Sequence, residues 1–418
     1  MPAELSTIPV LPRDEAFAIT ADFQADVHPQ KVSLGAGVYR DESSKPWVLP
    51  SVKEAKKRLH EQAYLNHEYL PIQGLEPFLN AARELILGSE NTEAPTISIQ
   101  TISGTGANHL AAAFLARNLK PKHVFFSDPT WSNHSLVWEV AAPDVVQKTY
   151  PYYLPASKSL DFKGMISTLE STAVEDDVVV LHACAHNPTG IDPNQEQWRS
   201  LAELIERKRL FPLFDSAYQG FATGDVDVDA WAVRYFQKTL FGLSESGPRP
   251  QGMGIAQSFA KNFGLYGERV GAFHLVLPPQ TPTAGARSQL LRLVRAEMSN
   301  APLFGCRIVA MILSDAELRA MWQKDLQTMS GRIKRMRSIL RREIEKHARS
   351  DVGDWRHLED QIGMFSYTGL REGQVLRLKE VHHIYLMRNG RASLSGLNEA
   401  NAKYVADAIA EVMRYQPK

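Results

Sequence analysis

Between about residues 97 and 278 the chain alternates short apolar runs with longer amphipathic stretches. The runs are rich in β-branched and aromatic residues and lack polar alternation, which is typical of strands buried on both faces of a sheet. Strands that alternate with helices indicate an α/β domain with a mainly parallel sheet. One stretch in this region, 241–254, is rich in Gly, Pro and Ser and is predicted to form a surface loop. The predicted strands are 123–127 (HVFFS), 177–183 (DVVVLHA), 210–215 (LFPLFD), 255–259 (IAQSF) and 271–277 (GAFHLVL).

One intervening helix carries clear signals at its start. Asp192 can act as its N-cap, Pro193 occupies the first helical position, and Gln195 completes a capping-box pattern. Apolar residues then recur at helical spacing from Trp198 to Ile205, which predicts a buried stripe along one face.

A much longer helix is predicted after Asp315. Apolar residues recur every three or four positions from Leu318 to Ile344, which indicates a helix of roughly 30 residues. A helix of that length usually leaves one domain and enters another, and we place the domain boundary within it. The predicted organisation is a large α/β domain over 47–328 and a smaller α/β domain built from both chain ends, 1–46 and 329–418.

Composition and charge narrow the class of protein. The 418 residues include 47 Lys plus Arg and 47 Asp plus Glu, so the net charge favours neither nucleic acid nor an anionic membrane. Cys184 and Cys306 make no disulfide framework and fit a reducing compartment. No apolar run approaches the roughly 20 residues that span a bilayer. The N-terminal segment lacks both a secretory apolar stretch and an Arg-rich transit composition. These features predict a cytoplasmic protein that binds neither nucleic acid nor membranes.

A glycine-rich turn in SGTGANHLAAAFLA (103–116) is predicted to open a helix. Its glycines would let backbone N–H groups approach an anion, and a helix N-terminus adds partial positive charge. Ser103 and Thr105 could add hydroxyl donors to a phosphate. The stretch matches neither the P-loop nor the dinucleotide fingerprint, so a phosphate site and an ordinary turn both remain open.

The stretch LHACAHNPTGIDP (181–193) places His182 and His186 four residues apart. On a helix this spacing would put both rings on one face. The preceding valines predict a strand instead, along which four residues span roughly 13 Å, too far for two ligands of one zinc ion. We therefore expect no metal site and interpret His182 as a packed, hydrogen-bonded residue. Asn187 starts a turn at the carboxyl end of this strand, where open α/β sheets bind ligands.

Asp215 ends another apolar run, and Tyr218 follows it in LFDSAYQGF (213–221). A carboxylate at the end of a buried strand is costly unless it is paired. Asp215 could cap a following helix, or it could lie against a cationic ring nitrogen. The pattern alone leaves both interpretations open.

The stretch AQSFAKNFGLYGERVG (256–271) places Ser258, Lys261 and Arg269 close together. A Ser-x-x-Lys pair occurs in acyl-transfer enzymes, but the S-D-N and K-T-G motifs that accompany it there are absent from this chain. An amine that forms an imine must be unprotonated part of the time, which burial or a positive charge such as Arg269 can arrange. The sequence favours an imine-forming lysine, with acyl transfer as the alternative.

In combination, these motifs resemble the aspartate aminotransferase family, in the fold-type I group of pyridoxal-phosphate enzymes. The resemblance runs almost end to end, and the motifs follow the family order. They are KVSLGAGVYRDESSKPWVLP (31–50), HEYLPIQGL (67–75), SGTGA (103–107), DPTWSNH (128–134), HACAHNPTG (182–190), FDSAYQGF (214–221), SFAKNFGLYGERVG (258–271), VRAEMSN (294–300), GMFSYTGL (363–370) and IYLMRNGRASLSGLN (384–398).

The resemblance implies pyridoxal 5'-phosphate as the cofactor. Lys261 matches the lysine that forms a Schiff base with it and then shuttles the proton of the substrate α-carbon. Asp215 matches the partner of the pyridine nitrogen, which lets the ring accept electrons, and His134 resembles the residue that braces this aspartate. The other implied cofactor contacts are Trp131 stacked on the ring, Asn187 and Tyr218 at the ring oxygen, Ser103, Gly104, Thr105, Ser258 and Arg269 around the phosphate, and Tyr69 reaching the phosphate of a neighbouring subunit.

The resemblance also implies substrate contacts and a partner. Arg391 matches the clamp for the substrate α-carboxylate, and Arg295 of a neighbouring subunit matches the partner of the side-chain carboxylate. Arginine suits both tasks because its planar fork binds carboxylate through two hydrogen bonds. Gly37 matches a backbone position over the substrate, which Trp131 and Asn187 are expected to contact as well. Because Tyr69 and Arg295 would each serve the other subunit's site, a homodimer with shared active sites is implied.

The implied activity is transfer of the amino group between L-aspartate and 2-oxoglutarate, giving oxaloacetate and L-glutamate in two ping-pong half-reactions. Ser132, Ala36 and Gly267 depart from residues that are common in the family, but none of them carries a group named above. An aromatic or broad-specificity aminotransferase of the same subgroup is the nearest alternative. A Ser-Lys acyl-transfer enzyme is a distant one.

Overall fold

The computed structural model describes residues 5–63, 65–89, 94–242, 249–347 and 354–414. Its strands are β1 (Val32–Ser33), β2 (Thr96–Ile102), β3 (His123–Asp128), β4 (Val146–Pro151), β5 (Tyr153–Leu154), β6 (Ser159–Leu160), β7 (Val178–His182), β8 (Phe211–Ser216), β9 (Met253–Ser258), β10 (Val270–Val276), β11 (Phe365–Tyr367), β12 (Ile384–Tyr385) and β13 (Arg391–Ser393). Its α-helices are α1 (Glu15–Ala25), α2 (Pro50–His60), α3 (Glu76–Leu87), α4 (Ser103–Asn118), α5 (Asn133–Ala141), α6 (Phe162–Thr172), α7 (Gln195–Lys208), α8 (Val226–Asp229), α9 (Trp231–Phe241), α10 (Ala284–Glu297), α11 (Phe304–Ser314), α12 (Ala316–Glu345), α13 (His357–Asp360), α14 (Glu372–His382) and α15 (Glu399–Arg414).

Seven strands form one sheet in the order β2-β10-β9-β8-β7-β3-β4. The neighbours from β9 to β4 are parallel, whereas β10 runs antiparallel to both β2 and β9. The prediction of an α/β fold with a mainly parallel sheet is therefore confirmed.

Alternate residues of the central strands contribute to two different hydrophobic clusters. Val178 and Val180 of β7 pack in the cluster that contains α4, α5 and α10 residues, while Val179 and Leu181 pack in the cluster that contains α6, α7 and α9 residues. Both faces of the sheet are therefore covered by helices, which explains the continuous apolar runs. Each fully buried aliphatic side chain of this kind contributes about 1.5–3 kcal/mol.

The apolar runs do not reveal two strands of the sheet, β2 and β4. β2 alternates polar and apolar residues, and its buried Ser98 and Gln100 form hydrogen bonds, Ser98 to His274 and Gln100 to the backbone of Leu75. β4 is an edge strand, and its first residue, Val146, is half exposed. Neither strand needs a continuous apolar sequence, so neither produces one.

The start of α7 differs from the prediction. Asn194 is the N-cap and Gln197 completes the capping box, so Asp192 is not the cap. The Asp192 carboxylate instead accepts the backbone N–H groups of Ala185 at 2.6 Å and His186 at 2.9 Å. It thereby fixes the loop after β7, which carries predicted site residues.

The long helix is confirmed, because α12 spans 30 residues. The two ends of the chain meet where β1 pairs in parallel with β12, with Val32 opposite Ile384. The division into domains 47–328 and 1–46 with 329–418 stays a prediction. Of the predicted loop 241–254, residues 243–248 lie outside the described residues. No helix in the described ranges combines the length and apolar character needed to cross a bilayer.

Candidate active site

Residues from several strands meet at one edge of the sheet. The parallel strands β3, β7, β8 and β9 end at this edge, and so does β2, because both β2 and β9 run opposite to β10. Arg269 directly precedes β10 and comes to the same edge because β10 is reversed. The segments that leave these strands carry Ser103 after β2, Trp131 after β3, Asn187 after β7, Tyr218 after β8 and Lys261 after β9. Open α/β sheets bind ligands at such an edge.

A cavity lies at this edge. Apart from His182 and Ala217, every residue that lines it is a predicted cofactor or catalytic residue. The lining residues are Ser103, Gly104, Thr105, Trp131, His182, Asn187, Asp215, Ala217, Tyr218, Ser258, Lys261 and Arg269.

Ser103, Ser258 and Arg269 are directly connected around the N-terminus of α4. The hydroxyl oxygens of Ser103 and Ser258 lie 3.2 Å apart, and the Ser103 N–H donates to the carbonyl of Arg269 at 3.1 Å. A Cβ atom on Gly104 would lie 3.0 Å from the Cβ of Ser258, so glycine keeps this approach close. Hydroxyl groups and a guanidinium at a helix N-terminus form a suitable cradle for a phosphate.

The guanidinium of Arg269 has no carboxylate partner among the described residues. It donates one hydrogen bond, to the carbonyl of Tyr266 at 2.9 Å. Burial lowers the pKa of Arg269, although an arginine remains charged in proteins. A positive charge without a paired anion therefore faces the cavity.

Asp215 is buried within β8 and does not cap a helix. Its Oδ2 atom is hydrogen-bonded to Nε2 of His134 at 2.9 Å and accepts from Nδ2 of Asn108 at 3.4 Å. Nδ1 of His134 is in turn hydrogen-bonded to the Thr130 hydroxyl at 2.9 Å. Burial by itself raises the pKa of Asp215, but the hydrogen bond from His134 and the nearby positive charges outweigh it and hold the pKa below its ordinary value. The structure therefore keeps a buried carboxylate ionised.

Lys261 follows β9 and places its amine 5.5 Å from the centroid of the Tyr218 ring. Burial lowers the pKa of Lys261, the charge of Asp215 opposes this, and the charges of Arg269 and Arg391 add to the lowering. A lowered pKa increases the fraction of neutral amine, which is the nucleophilic form. Burial also raises the pKa of Tyr218, so its phenol stays protonated as a hydrogen-bond donor.

Arg391 begins β13 and lies beside the cavity. Its Nη1 atom donates to Oδ1 of Asn187 at 3.3 Å, and its Nη2 atom donates to the carbonyl of Gly35 at 3.1 Å. The Phe365 ring centroid lies 4.2 Å from the guanidinium carbon, and Nε has no hydrogen-bond partner in the described part of the chain. No carboxylate of the described residues pairs with Arg391. Sequence reasoning identified this arginine but missed Phe365, whose motif, GMFSYTGL, pointed to the region without giving it a role.

Besides His134 and Arg391, three predicted residues do not line the cavity. Gly37 lies next to Phe365, since a Cβ on this glycine would be 3.2 Å from that ring. Tyr69 is 87% exposed. Arg295 is exposed on α10 and donates to the Ser299 hydroxyl at 2.5 Å. The roles of Tyr69 and Arg295 toward a neighbouring subunit stay predictions.

The predicted separation of His182 and His186 is wrong. β7 ends at His182 and the chain then turns, so the ring centroids are only 4.1 Å apart. His182 is hydrogen-bonded to the Thr130 hydroxyl at 3.2 Å and accepts the N–H of Asn187 at 3.2 Å. Burial, with the charges of His186 and His134, lowers the pKa of His182 well below its usual value. In the part of the chain that the structure describes, no three His, Cys, Asp or Glu side chains form a group that could hold a metal ion.

The chemistry of the cavity fits pyridoxal phosphate. The cradle of Ser103, Ser258 and Arg269 suits its phosphate, and the amine of Lys261 suits its aldehyde. Asp215, the only carboxylate among the lining residues, suits a cationic ring nitrogen. The half-buried aromatic side chain of Trp131 provides a face for the ring.

Comparisons with known proteins identify the family. The sequence matches the model of the family described as aminotransferase class I and II over residues 29–409. It is 47% identical to an L-tyrosine:2-oxoglutarate aminotransferase of Aspergillus ustus, over 98% of this chain and 78% of that protein. It is 45% identical to the cytoplasmic aspartate aminotransferase of Saccharomyces cerevisiae, over 98% of this chain and 97% of that protein.

Solved structures agree in fold. The structure of the aspartate aminotransferase from Saccharomyces cerevisiae cytoplasm superposes with a TM-score of 0.92, at 44% identity and over 98% of each chain. An aromatic-amino-acid aminotransferase of Burkholderia pseudomallei, covalently bound to pyridoxal phosphate, superposes with a TM-score of 0.91, at 37% identity over 99% of this chain and 100% of that one. The chain therefore belongs to the class I and II aminotransferase family, whose members are pyridoxal-phosphate-dependent transaminases.

Proposed function

We propose that this chain is an aspartate aminotransferase, which transfers the amino group of L-aspartate to 2-oxoglutarate and yields oxaloacetate and L-glutamate. The observation that carries the proposal is the charge arrangement at the edge of the sheet. Lys261 has a lowered pKa, Asp215 is held ionised, and the guanidinium of Arg391 lies beside them with no carboxylate partner among the described residues. An unpaired, half-buried guanidinium is suited to a substrate carboxylate.

Each residue has a defined task in this proposal. When bound, pyridoxal phosphate supplies an electron sink for the negative charge at the substrate α-carbon. The Lys261 amine takes up and returns the α-proton, a transfer that typically contributes 10²–10⁴-fold to the rate. The Asp215 carboxylate keeps a positive charge on the ring nitrogen. Arg391 binds the α-carboxylate and fixes the orientation of the α-carbon, and the Tyr218 phenol donates a hydrogen bond.

A spectroscopic experiment tests the reaction and the substrate class together. The visible absorbance of the purified, pyridoxal-phosphate-loaded protein should bleach when L-aspartate is added and return when 2-oxoglutarate follows. A spectrum that aspartate does not change would contradict the proposal.

Substrate preference is the point on which the alternatives differ, since some relatives act on tyrosine or other aromatic amino acids. We propose that Arg295 of a neighbouring subunit binds the side-chain carboxylate. Removing one partner of such a charged pair costs about 2–5 kcal/mol, so Arg295→Ala should lower kcat/KM for aspartate by roughly 30–5,000-fold and change that for phenylalanine only slightly. A wild-type protein that uses phenylalanine and tyrosine as well as aspartate would favour the aromatic or broad-specificity alternative.

The distant acyl-transfer alternative lacks its required contact. The Ser258 hydroxyl lies within hydrogen-bonding distance of the Ser103 hydroxyl and the Ala260 N–H, and it has no hydrogen bond to Lys261 among the described residues. Membership of the aminotransferase family removes the remaining reason for that reading.

We also propose a homodimer whose active sites are shared. The exposure of Tyr69 and Arg295, away from the cavity of their own chain, supports this arrangement. The Lys261→Ala and Arg295→Ala proteins should each have little activity toward aspartate. Activity should return when their subunits are mixed and reassociated into mixed dimers. Each mixed dimer then has one site with both wild-type residues. Inactive mixed dimers would place Arg295 in its own subunit's site.

A cytoplasmic location is proposed from the named cytoplasmic relative, with cell fractionation as its test.

We further propose that 47–328 and the paired segments 1–46 and 329–418 move as two units. Small-angle scattering with and without succinate, a substrate-like dicarboxylate, should then show a more compact loaded form.

A further inference from the structure

Arg337 is a buried arginine of α12 that has no carboxylate partner among the described residues and is only 2% exposed. Its Nη1 atom donates to the carbonyl of Leu358 at 2.7 Å. Its Nη2 atom donates to the carbonyls of Gly363 at 2.8 Å and Phe365 at 2.6 Å. One guanidinium therefore gathers three carbonyl groups from a single stretch of chain. Burying a charge without a counter-ion is expensive, so this arrangement calls for a specific reason.

The segment that Arg337 holds contacts the candidate active site. Gly363 lies against the loop after β7, because a Cβ on it would be 2.4 Å from the Cβ of Ala185. The N–H of Ile362 donates to the carbonyl of Gly190 at 2.7 Å, in the same loop. That loop also carries Asn187, which lines the cavity.

Phe365 connects this segment to Arg391 in two ways. Its ring lies 4.2 Å from the Arg391 guanidinium carbon, within the range of a cation–π contact. It is also the first residue of β11, whose register with β13 places Tyr367 opposite Arg391. Both the guanidinium and the backbone of Arg391 therefore depend on where β11 lies.

We propose that Arg337 is a positioning residue for the substrate carboxylate site: it fixes the 358–365 segment, and thereby Phe365 and the Arg391 guanidinium, without touching substrate or cofactor. This proposal rests on the proposed role of Arg391. Lysine at position 337 would keep the charge, but a single ammonium lacks the fork that reaches carbonyls on both sides.

The test measures carboxylate binding apart from turnover. In the pyridoxal-phosphate-loaded protein, Arg337→Lys should raise the dissociation constant of succinate, and the KM values for aspartate and 2-oxoglutarate, about tenfold. It should leave kcat within about twofold. Leu340→Ala, a core substitution one turn later on α12, serves as the control, because it lowers thermal stability and should leave succinate affinity unchanged.

A double-mutant cycle tests the path through Phe365. Phe365→Leu should weaken succinate binding to a similar extent, and adding Arg337→Lys to it should change the affinity by less than about twofold further. Additive effects, or a loss of affinity in Leu340→Ala as large as in Arg337→Lys, would overturn the proposal. If wild-type protein bound no succinate, the proposed function would fail instead, so the two failures are distinguishable. If Arg337→Lys does not fold, Phe365→Leu still tests the proposal. Unchanged succinate affinity in Phe365→Leu would refute the idea that Arg337 positions Arg391 through Phe365.

Discussion

Replacing His134 with alanine removes the principal hydrogen-bond partner of the buried Asp215 carboxylate. In the wild-type protein that carboxylate is 8% exposed and has two partners, His134 at 2.9 Å and Asn108 at 3.4 Å. The remaining bond to Asn108 is long, so the variant keeps only weak compensation for burial. A hydrogen bond to a charged group contributes about 1.5–3 kcal/mol, which sets the size of the expected loss.

The sign of the pH dependence follows from the pKa of Asp215. In the wild type this pKa is depressed, so the stabilisation is present above the unfolded-state pKa and is lost only as the pH falls through the folded-state pKa. In His134→Ala, burial is opposed only by the charges of Lys261 and His182 and by the long hydrogen bond from Asn108, so we expect the pKa of Asp215 to rise above that of the unfolded chain. The variant should therefore lose stability as the pH rises from about 4 through the raised pKa. The difference in the free energy of unfolding between wild type and variant should level off near pH 7 at about 1.5–3 kcal/mol. A further loss, independent of pH, comes from the cavity that the smaller side chain leaves.

The assay is denaturant unfolding of cofactor-free protein at several pH values from 4 to 8. Leu213→Ala is the control, because Leu213 is fully buried on the same strand as Asp215 and carries no titratable group. Its loss of stability should be constant over this range and measures a cavity term alone. Parallel profiles for the two variants would refute the reasoning about Asp215.

Further predictions concern the cofactor. Lys261→Ala should abolish the pH-sensitive visible absorbance of the bound cofactor and lower turnover by at least about 10⁴-fold, because both the covalent link and the proton shuttle are lost. If the variant kept either the absorbance or the turnover, the role proposed for Lys261 would be wrong. Gly271→Ala should weaken pyridoxal-phosphate binding, because the new Cβ would lie 2.5–2.7 Å from backbone atoms of Ser103. Such overpacking costs about 1–3 kcal/mol, so equilibrium dialysis should show an affinity about 5–150-fold lower. Gly331→Ala, where nothing lies within 4 Å, is its control, and equal losses in both would argue against a specific effect on the cradle.

Local sequence patterns predicted most of the scaffold, whereas the roles of the site residues came from the resemblance to a known family. The strands that are covered by helices on both faces appear in the sequence as apolar runs. The 30-residue α12 is predicted by apolar residues that recur every three or four positions. Asp215 lies near the end of β8, Lys261 follows β9 and Arg269 precedes β10, so the sequence indicates which strand carries each group but not which groups meet. Strands β2 and β4 were not predicted. β2 contains buried polar residues that are satisfied by hydrogen bonds, and β4 lies at an edge of the sheet, so neither has a continuous apolar sequence.

Contacts between distant segments were decided only by the tertiary structure. The turn after β7 brings His186 to within 4.1 Å of His182, where an extended chain would separate them. The meeting of Arg337, Phe365 and Arg391 depends on how α12, β11 and β13 pack, which no spacing along the chain encodes. Periodicity reports which face of an element is buried, whereas the direction and order of strands decide which loops meet. For that reason the sequence determined the chemistry that is available, and the fold determined which groups are held in position to use it.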